Sequence, residues 1–399
     1  MPLFTCLLFS CSNDSKKSGN PVTDQSWKQI LAKAKGTTVT LMMYQGDKRG
    51  NRYMNDYMVP TIKKDYDITL KIIPGQGNTI VSNIMSEKEA GLEKGQADLV
   101  WINGETFYQL KQIDGLFGPY TDILPNSKYI NYHDPIIKYD FQQDINGYET
   151  PWGKAFFTAI CDSAKVSKIP VSMQDFENYW KSHPGTFTLS LDFMGMTLLK
   201  TWLVELAGGI NQLDGKFNEQ KYQKYSTLLW NYINQNKQYF WKQGETFPAS
   251  NVTISQMYGN GEVNFAFAFG VAEIDRKVEE GLFPKTSKGF ILKAGSIHNT
   301  SYLGITYNSA NKEGAMVVSN FVISPQAQIN RSDIRMWGGS PVFDFSRLEK
   351  NYQDQYLALP KLKYGLNEKE VEAKAIKEPA SEYMIKIADD FRKKVIEKP

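Results

Sequence analysis

Apolar positions along the chain alternate between two periods. Over residues 27–35 they recur at helical spacing and stop at Gly36, and over 37–44 they form a run rich in β-branched residues that reads as a strand. A helix over 52–64, kinked at Pro60, a strand over 68–73, a helix over 78–94 and a strand over 97–102 follow. Strands that alternate with helices pair in parallel and are covered on their faces, which predicts an α/β lobe. Its buried strand positions are Val39, Leu41 and Met43, then Ile72 and Ile73, then Leu99, Val100 and Trp101.

Residues 115–148, rich in Pro and Tyr, keep no period and read as a loop-rich excursion. A second lobe then begins, with strands over 156–161 and 186–191 and helices over 196–207 and 221–235. The strand over 263–269 precedes a charged helix over 273–280 and short strands over 289–292 and 303–306. The last third is helical, including 315–323 and an amphipathic stretch over 383–396 in which Met384, Ile387 and Phe391 share a face. No internal repeat or low-complexity tract interrupts the series.

At 399 residues the chain exceeds one ordinary core, so two lobes of similar size are expected. No apolar run is long enough to cross a bilayer. The 46 basic and 43 acidic residues are interleaved along the chain, and the absence of a basic cluster argues against nucleic acid as a partner.

Of the three cysteines, Cys161 sits alone in an apolar run and reads as a buried thiol, so neither a disulfide framework nor a metal spacing exists. The other two lie in the N-terminal segment MPLFTCLLFSC. Its end, Leu8-Phe9-Ser10-Cys11, resembles a bacterial lipobox, with Cys11 as the lipidated residue and residues 12–25 as a polar tether. No Lys or Arg precedes the apolar part, which is short for a signal peptide.

Catalytic and cofactor motifs are missing. His133, His183 and His298 lie far apart, and neither a G-x-S-x-G elbow nor a phosphate loop occurs. Gly75-Gln76-Gly77-Asn78-Thr79-Ile80 places isoleucine where a dinucleotide fingerprint needs its third glycine. No cofactor or metal is expected. Ligands of open α/β sheets sit beyond the carboxyl ends of the strands, which selects Tyr44, Gln45 and Asp47, then Gln76, then Trp101, Asn103 and Glu105. For Glu105 a purely structural role competes, because Asn103 reads as an N-cap and an acid in the first turn complements the helix dipole. Asp192 has the same ambiguity. Trp152, between Pro151 and Gly153, is expected in a turn. Phe269, which ends the strand over 263–269, and Trp337 complete the candidate ligand-binding set.

The run Ala97-Asp98-Leu99-Val100-Trp101-Ile102-Asn103-Gly104-Glu105 resembles the D-L-[IV]-W-I-N-G-E signature of a YnjB-type subgroup of family 1 extracellular solute-binding proteins. Leu116-Phe117-Gly118-Pro119, Leu124-Pro125-Asn126, Tyr148-Glu149-Thr150-Pro151-Trp152-Gly153, residues 321–328 and Trp337-Gly338-Gly339 extend it across about 38–348. The resemblance implies a type II periplasmic-binding-protein fold, with two α/β lobes, a chain that crosses between them more than once, and a ligand in the cleft. It implies an ABC permease and ATPase as partners and a thiamine-like or polyamine-like solute; a monomer is expected. The first loop, Gly46-Asp47-Lys48, departs from the pattern of relatives. Ferric-ion relatives use neighbouring tyrosines, and no Tyr-Tyr pair occurs here.

On this reading residues 36–153 and 264–303 form one lobe, 154–263 and 304–399 the other, hinged near 151–156, 261–269 and 302–306. A surface-anchored glycan-binding lipoprotein is the alternative, favoured by an aromatic content of 13% and disfavoured by the α/β alternation. An anchored hydrolase would need a convergent nucleophile and base, which are not found.

Overall fold

The computed structural model describes residues 22–397; Cys11 and most of the tether lie outside the described residues. Strands β1 (Thr38–Met43), β2 (Thr69–Pro74) and β3 (Leu99–Ile102) pair in parallel, Leu41 standing beside both Ile72 and Leu99. Their side chains divide by alternation. Leu41, Met43 and Leu99 pack with Met316, Val318 and Phe321 on one face, and Met42 and Val100 with Ile80, Phe107 and Leu110 on the other. Both faces are therefore covered, and these strands read as continuous apolar runs.

The excursion expected over 115–148 contains the short strands β4 (Leu116–Phe117), β5 (Tyr139–Asp140) and β6 (Gln143–Asp144). It leads into a 14-residue strand, β7 (Glu149–Asp162). Strands β8 (Phe265–Phe269) and β9 (Ser287–Phe290) pair antiparallel with the far half of β7. An 11-residue strand, β10 (Ser296–Thr306), pairs antiparallel with the near half of β7 and with β3, and β11 (Ala375–Ile376) closes on its start. The sheet order is thus β2-β1-β3-β10-β7-β8, carried through both halves of the molecule by β7 and β10.

Two main cores flank these strands. The first gathers residues from Ile30 to Ile137 with Leu303, Ala315 to Ala327 and Trp337. The second gathers Phe157, the rings of Phe176, Trp180, Phe187 and Trp202, the strand residues Phe265 and Phe267, and Tyr383 to Val395. This corrects the expected partition. Phe265, Phe267 and Phe290 pack in the second core, with Ala266, Ala268 and Ile274 in a cluster on the other face of β8, and Ala315 to Ala327 with Trp337 pack in the first, because β8 pairs with the end of β7 while the helix Lys312–Val322 covers β1. The stretch 261–269 accordingly makes no crossing.

Local differences have local causes. The two crossing strands are far longer than expected because their central residues are polar or Gly and Pro, such as Pro151, Gly153, His298, Asn299 and Thr300, which carry no apolar run. Residues 187–190 are buried but make no ladder; Phe187 gives its carbonyl to Trp241 and Thr186 to Asn264. The helix over 52–64 starts earlier, at Lys48, and runs to Tyr66 through a π turn at Met54–Met58. That turn lies just before Pro60, where a helix must absorb a missing N–H. The helix Gly77–Glu89 stops short of 94 because Gly91, at φ 65°, turns the chain left-handed.

Candidate functional site

At the end of β1 the chain opens into Tyr44-Gln45-Gly46-Asp47. Asp47 caps the helix Lys48–Tyr53 by accepting from Arg49 N at 3.0 Å. Its other carboxylate oxygen accepts from Trp337 Nε1 at 2.7 Å, and the Arg276 guanidinium stands 3.6 Å away. Burial alone would raise this carboxyl; Arg276, Trp337 and the backbone N–H groups of Gly50 and Arg49 outweigh it and hold it below the usual aspartate value. Trp337 is gripped from behind as well, with the Arg331 guanidinium 4.5 Å from its ring centre.

Three indoles meet beneath this loop. Trp101, at the end of β3, lies 4.8 Å from Trp152 and 6.2 Å from Trp337, all edge to face, and Trp152 is 5.6 Å from Trp337. Tyr44 leans on Trp101 at 6.5 Å. Trp152 does not occupy the expected turn. Ser301 pairs with Gly153 and Tyr302 with Pro151, so Trp152 is the extra residue of a β-bulge and points into the first core, 1% exposed. Gln328 Nε2 donates to the Trp152 carbonyl at 2.9 Å, which ties the bulge to the helix Pro325–Ser332.

Asp192 and Phe269 belong to elements that pack on the second core. Asp192 caps the helix Phe193–Ala207 and accepts from Met194 N at 3.1 Å, Asn251 N at 2.6 Å and Ser190 Oγ at 2.6 Å. Phe269 lies 5.3 Å from Phe193. Glu273 begins the helix Glu273–Glu279, which also carries Arg276. Burial pushes the Tyr44 phenol up, and the negative charges of Asp192, Asp47 and Glu273 push it further. At the mouth Arg49 Nε bonds Glu280 at 2.7 Å and Arg49 also reaches Glu279 at 3.5 Å and the Ile334 carbonyl.

Glu105 belongs to a second, inner group. Asn103 does not cap its helix; Gly104 does, at φ 50°, and donates its N–H to Asp140 at 2.7 Å. A Cβ on Gly104 would stand 2.5 Å from the Phe141 ring, so only glycine fits. Lys200, wholly buried in the helix Phe193–Ala207, pairs with Glu378 and lies 4.5 Å from the Phe141 ring centre. Burial pushes the carboxyls of Glu105, Asp140, Glu149 and Glu378 upward.

Tyr44, Asp47, Trp101, Trp152 and Trp337 are therefore linked by direct contacts, whereas Phe269 packs on Phe193 beside Asp192 and Glu105 joins the inner group. Gln45 and Gln76 are exposed; the Gln45 carbonyl accepts from Asn51 and Gln76 starts the helix Gly77–Glu89 without a side-chain cap. Sequence reasoning missed Glu273, Arg276 and Arg49. The strand-end rule carried past Phe269 to the following helix would have reached the first two. Lys200 had no signal, lying within an apolar helix. Among the described residues no cluster of three His, Cys, Asp or Glu side chains could hold a metal ion, and no helix is long and apolar enough to cross a membrane.

Residues 57–360 match the family model of the bacterial extracellular solute-binding proteins. Protein YnjB of Escherichia coli strain K12 is 31% identical over 326 residues, 81% of this chain and 84% of the relative. Among solved structures, the Actinobacillus pleuropneumoniae periplasmic binding protein AfuA, with fructose-6-phosphate bound, superposes with a TM-score of 0.62 at 12% identity, covering 90% of this chain and 98% of AfuA. A Listeria monocytogenes spermidine/putrescine ABC transporter component gives 0.60 at 14%, covering 89% and 98%. Its neighbours fix the fold as the type II periplasmic-binding-protein fold. The chain belongs to the bacterial extracellular solute-binding proteins: it is an extracytoplasmic solute-binding component of an ABC transporter, and it holds its ligand without converting it.

Proposed function

We propose that the protein is a lipid-anchored monomer, tethered through Cys11, that captures a flat or cationic organic solute between Tyr44, Asp47 and Trp101 on one wall and Asp192, Phe269 and Glu273 on the other. Each core is the centre of a lobe, and the lobes close by bending β7 and β10. Closure is favoured by whatever the ligand gains from both walls at once. Trp152 and Trp337 act from behind, holding Trp101 and Asp47 in place. The closed form is what the ABC permease, driven by its ATPase, receives.

The observation that carries this reading is the Tyr44 ring 6.5 Å from the Trp101 indole, with the Asp47 carboxylate three residues further along the same loop. Carboxylates next to aromatic faces suit organic cations. A thermal-shift screen with thiamine, spermidine, putrescine, phosphate, sulfate and sugars tests it. A ligand at a hundred times its dissociation constant stabilises by about 2.7 kcal/mol, and an organic cation is expected to do so. Stabilisation by anions alone would refute the assignment of ligand charge. Anchoring is tested separately: Cys11→Ser should move the protein from the membrane fraction to the soluble one.

A further inference from the structure

Behind the cleft, acids outnumber bases in a closed space. Glu105 and Asp140 come from the first core's side, Asp140 lying between Ile137 and Ile145, both buried in that core's clusters. Glu378 and Lys200 come from the second, through Ala380 and the helix Phe193–Ala207. Glu149, at the start of β7, is fully buried. Asp140 Oδ1, Glu105 Oε2 and both Glu149 oxygens have no hydrogen-bond partner in the protein. Their other neighbours are Asn299, which donates to Glu378 at 3.4 Å, and Gln142, which donates to its carbonyl at 2.7 Å. Lys111 and Tyr120 lie near Glu149, the Tyr302 phenol lies near Asp140 and Glu149, and Lys377 lines one cavity with Asp140 and Glu378. His298, beside Asp140 and Glu378, is held neutral, its pKa pulled down to about 4 by burial and by Lys154 and Lys377. Three carboxyl groups, Glu105, Asp140 and Glu378, thus face one buried ammonium, while Glu149 has Lys111 as its nearby cation.

We propose that solute capture is coupled to proton uptake: closing the lobes packs Glu105 and Asp140 against Lys200 and Glu378, and the acids left without a counter-charge take up protons as they leave water. This rests on the lobe closure proposed above. An uncompensated carboxylate is costly to bury, and a carboxyl without partners meets that cost by keeping its proton. In the open form the interface acids return to water and to ordinary values near 4. The closed form therefore binds more protons than the open one. Above pH about 4 each added pH unit favours opening by up to tenfold per proton taken up, until the raised values of the closed form are passed.

The test uses the full chain with Cys6 and Cys11 replaced by serine and spin labels on Met85→Cys and Leu228→Cys, which are exposed on helices of the two halves. Pulsed electron resonance then gives the distance between halves without ligand from pH 5 to pH 8. The long-distance fraction should rise several-fold with pH. That rise should vanish in Glu105→Gln/Asp140→Asn and shrink in Glu378→Gln, each checked for folding by circular dichroism. Two distances whose ratio ignores pH, or an unchanged pH dependence in folded variants, would overturn the proton coupling and leave lobe closure standing. A single distance at every pH, unmoved by any compound that raises the melting temperature, would overturn both.

Discussion

Asp47 offers a quantitative check on how the cleft wall is held, by replacing it with alanine and with asparagine. Alanine removes the cap of the helix Lys48–Tyr53, a loss of about 1 kcal/mol. It also leaves Trp337 Nε1, on a residue 7% exposed, without its acceptor at 2.7 Å, a loss of about 1–3 kcal/mol. The pair with Arg276 adds little, since the Asp47 side chain is 34% exposed and such pairs contribute well under about 1 kcal/mol. The total for Asp47→Ala is about 2–4 kcal/mol. Asparagine offers one carbonyl oxygen to two N–H groups that bond different carboxylate oxygens, so Asp47→Asn keeps the helix cap, loses the Trp337 bond and should cost about 1–3 kcal/mol, less than alanine by the share of the cap. Urea unfolding followed by tryptophan fluorescence measures both, the midpoint moving at constant slope. The pH dependence has a definite sign. Because the folded carboxyl sits below its ordinary value near 4, its stabilisation is complete at neutral pH and disappears as the pH falls through the folded value. The alanine deficit should therefore narrow in acid. If asparagine cost as much as alanine at pH 7, the hydrogen-bond account of Asp47 would be wrong.

Trp152→Ala should destabilise by about 3–5 kcal/mol in the same assay, because the bulge leaves no neighbour free to fill an indole-sized void. Asp192→Ala should cost about 2–3 kcal/mol by uncapping the helix Phe193–Ala207 and orphaning the Asn251 N–H, and a neutral result would show that Asp192 is held only by solvent. Glu149→Gln should gain stability relative to wild type as the pH rises above about 4. An acid whose folded value is raised costs stability from its ordinary value upward, so a difference that stays flat from pH 4 to pH 8 would contradict a protonated Glu149.

Much of the first half was legible because its strands are buried on both faces and its helices obey caps. The runs at 38–43, 69–74 and 99–102 announce themselves, and the strand ends that the rule relies on lie at Tyr44 and Trp101. What failed was long-range. Asp47 and Trp337 are 290 residues apart, and no local pattern pairs them. Trp152 looked like a turn residue because Pro151 and Gly153 are turn formers, yet a bulge accepts both without leaving the sheet. The partition into halves failed for the same reason. Residues 304–399 look like a continuation of what precedes them, while Lys312–Val322 returns to cover β1 because that face has no other lid. The inner acids are polar residues scattered over four segments, and only packing shows that they outnumber their counter-charges.

The sheet order has a consequence for synthesis. β3 finds its neighbour β10 about two hundred residues later, Val100 beside Gly304, and the helix that covers β1 comes later still. A chain emerging N-terminus first cannot complete its first core until more than four-fifths of it has been made. Contacts this remote in sequence form slowly, since the ends of a long loop must be brought together before any packing rewards it. For a protein that works outside the cytoplasm, this delay is useful. The nascent chain stays without a finished core while it is made, and a chain in that condition can still be threaded through a narrow export channel.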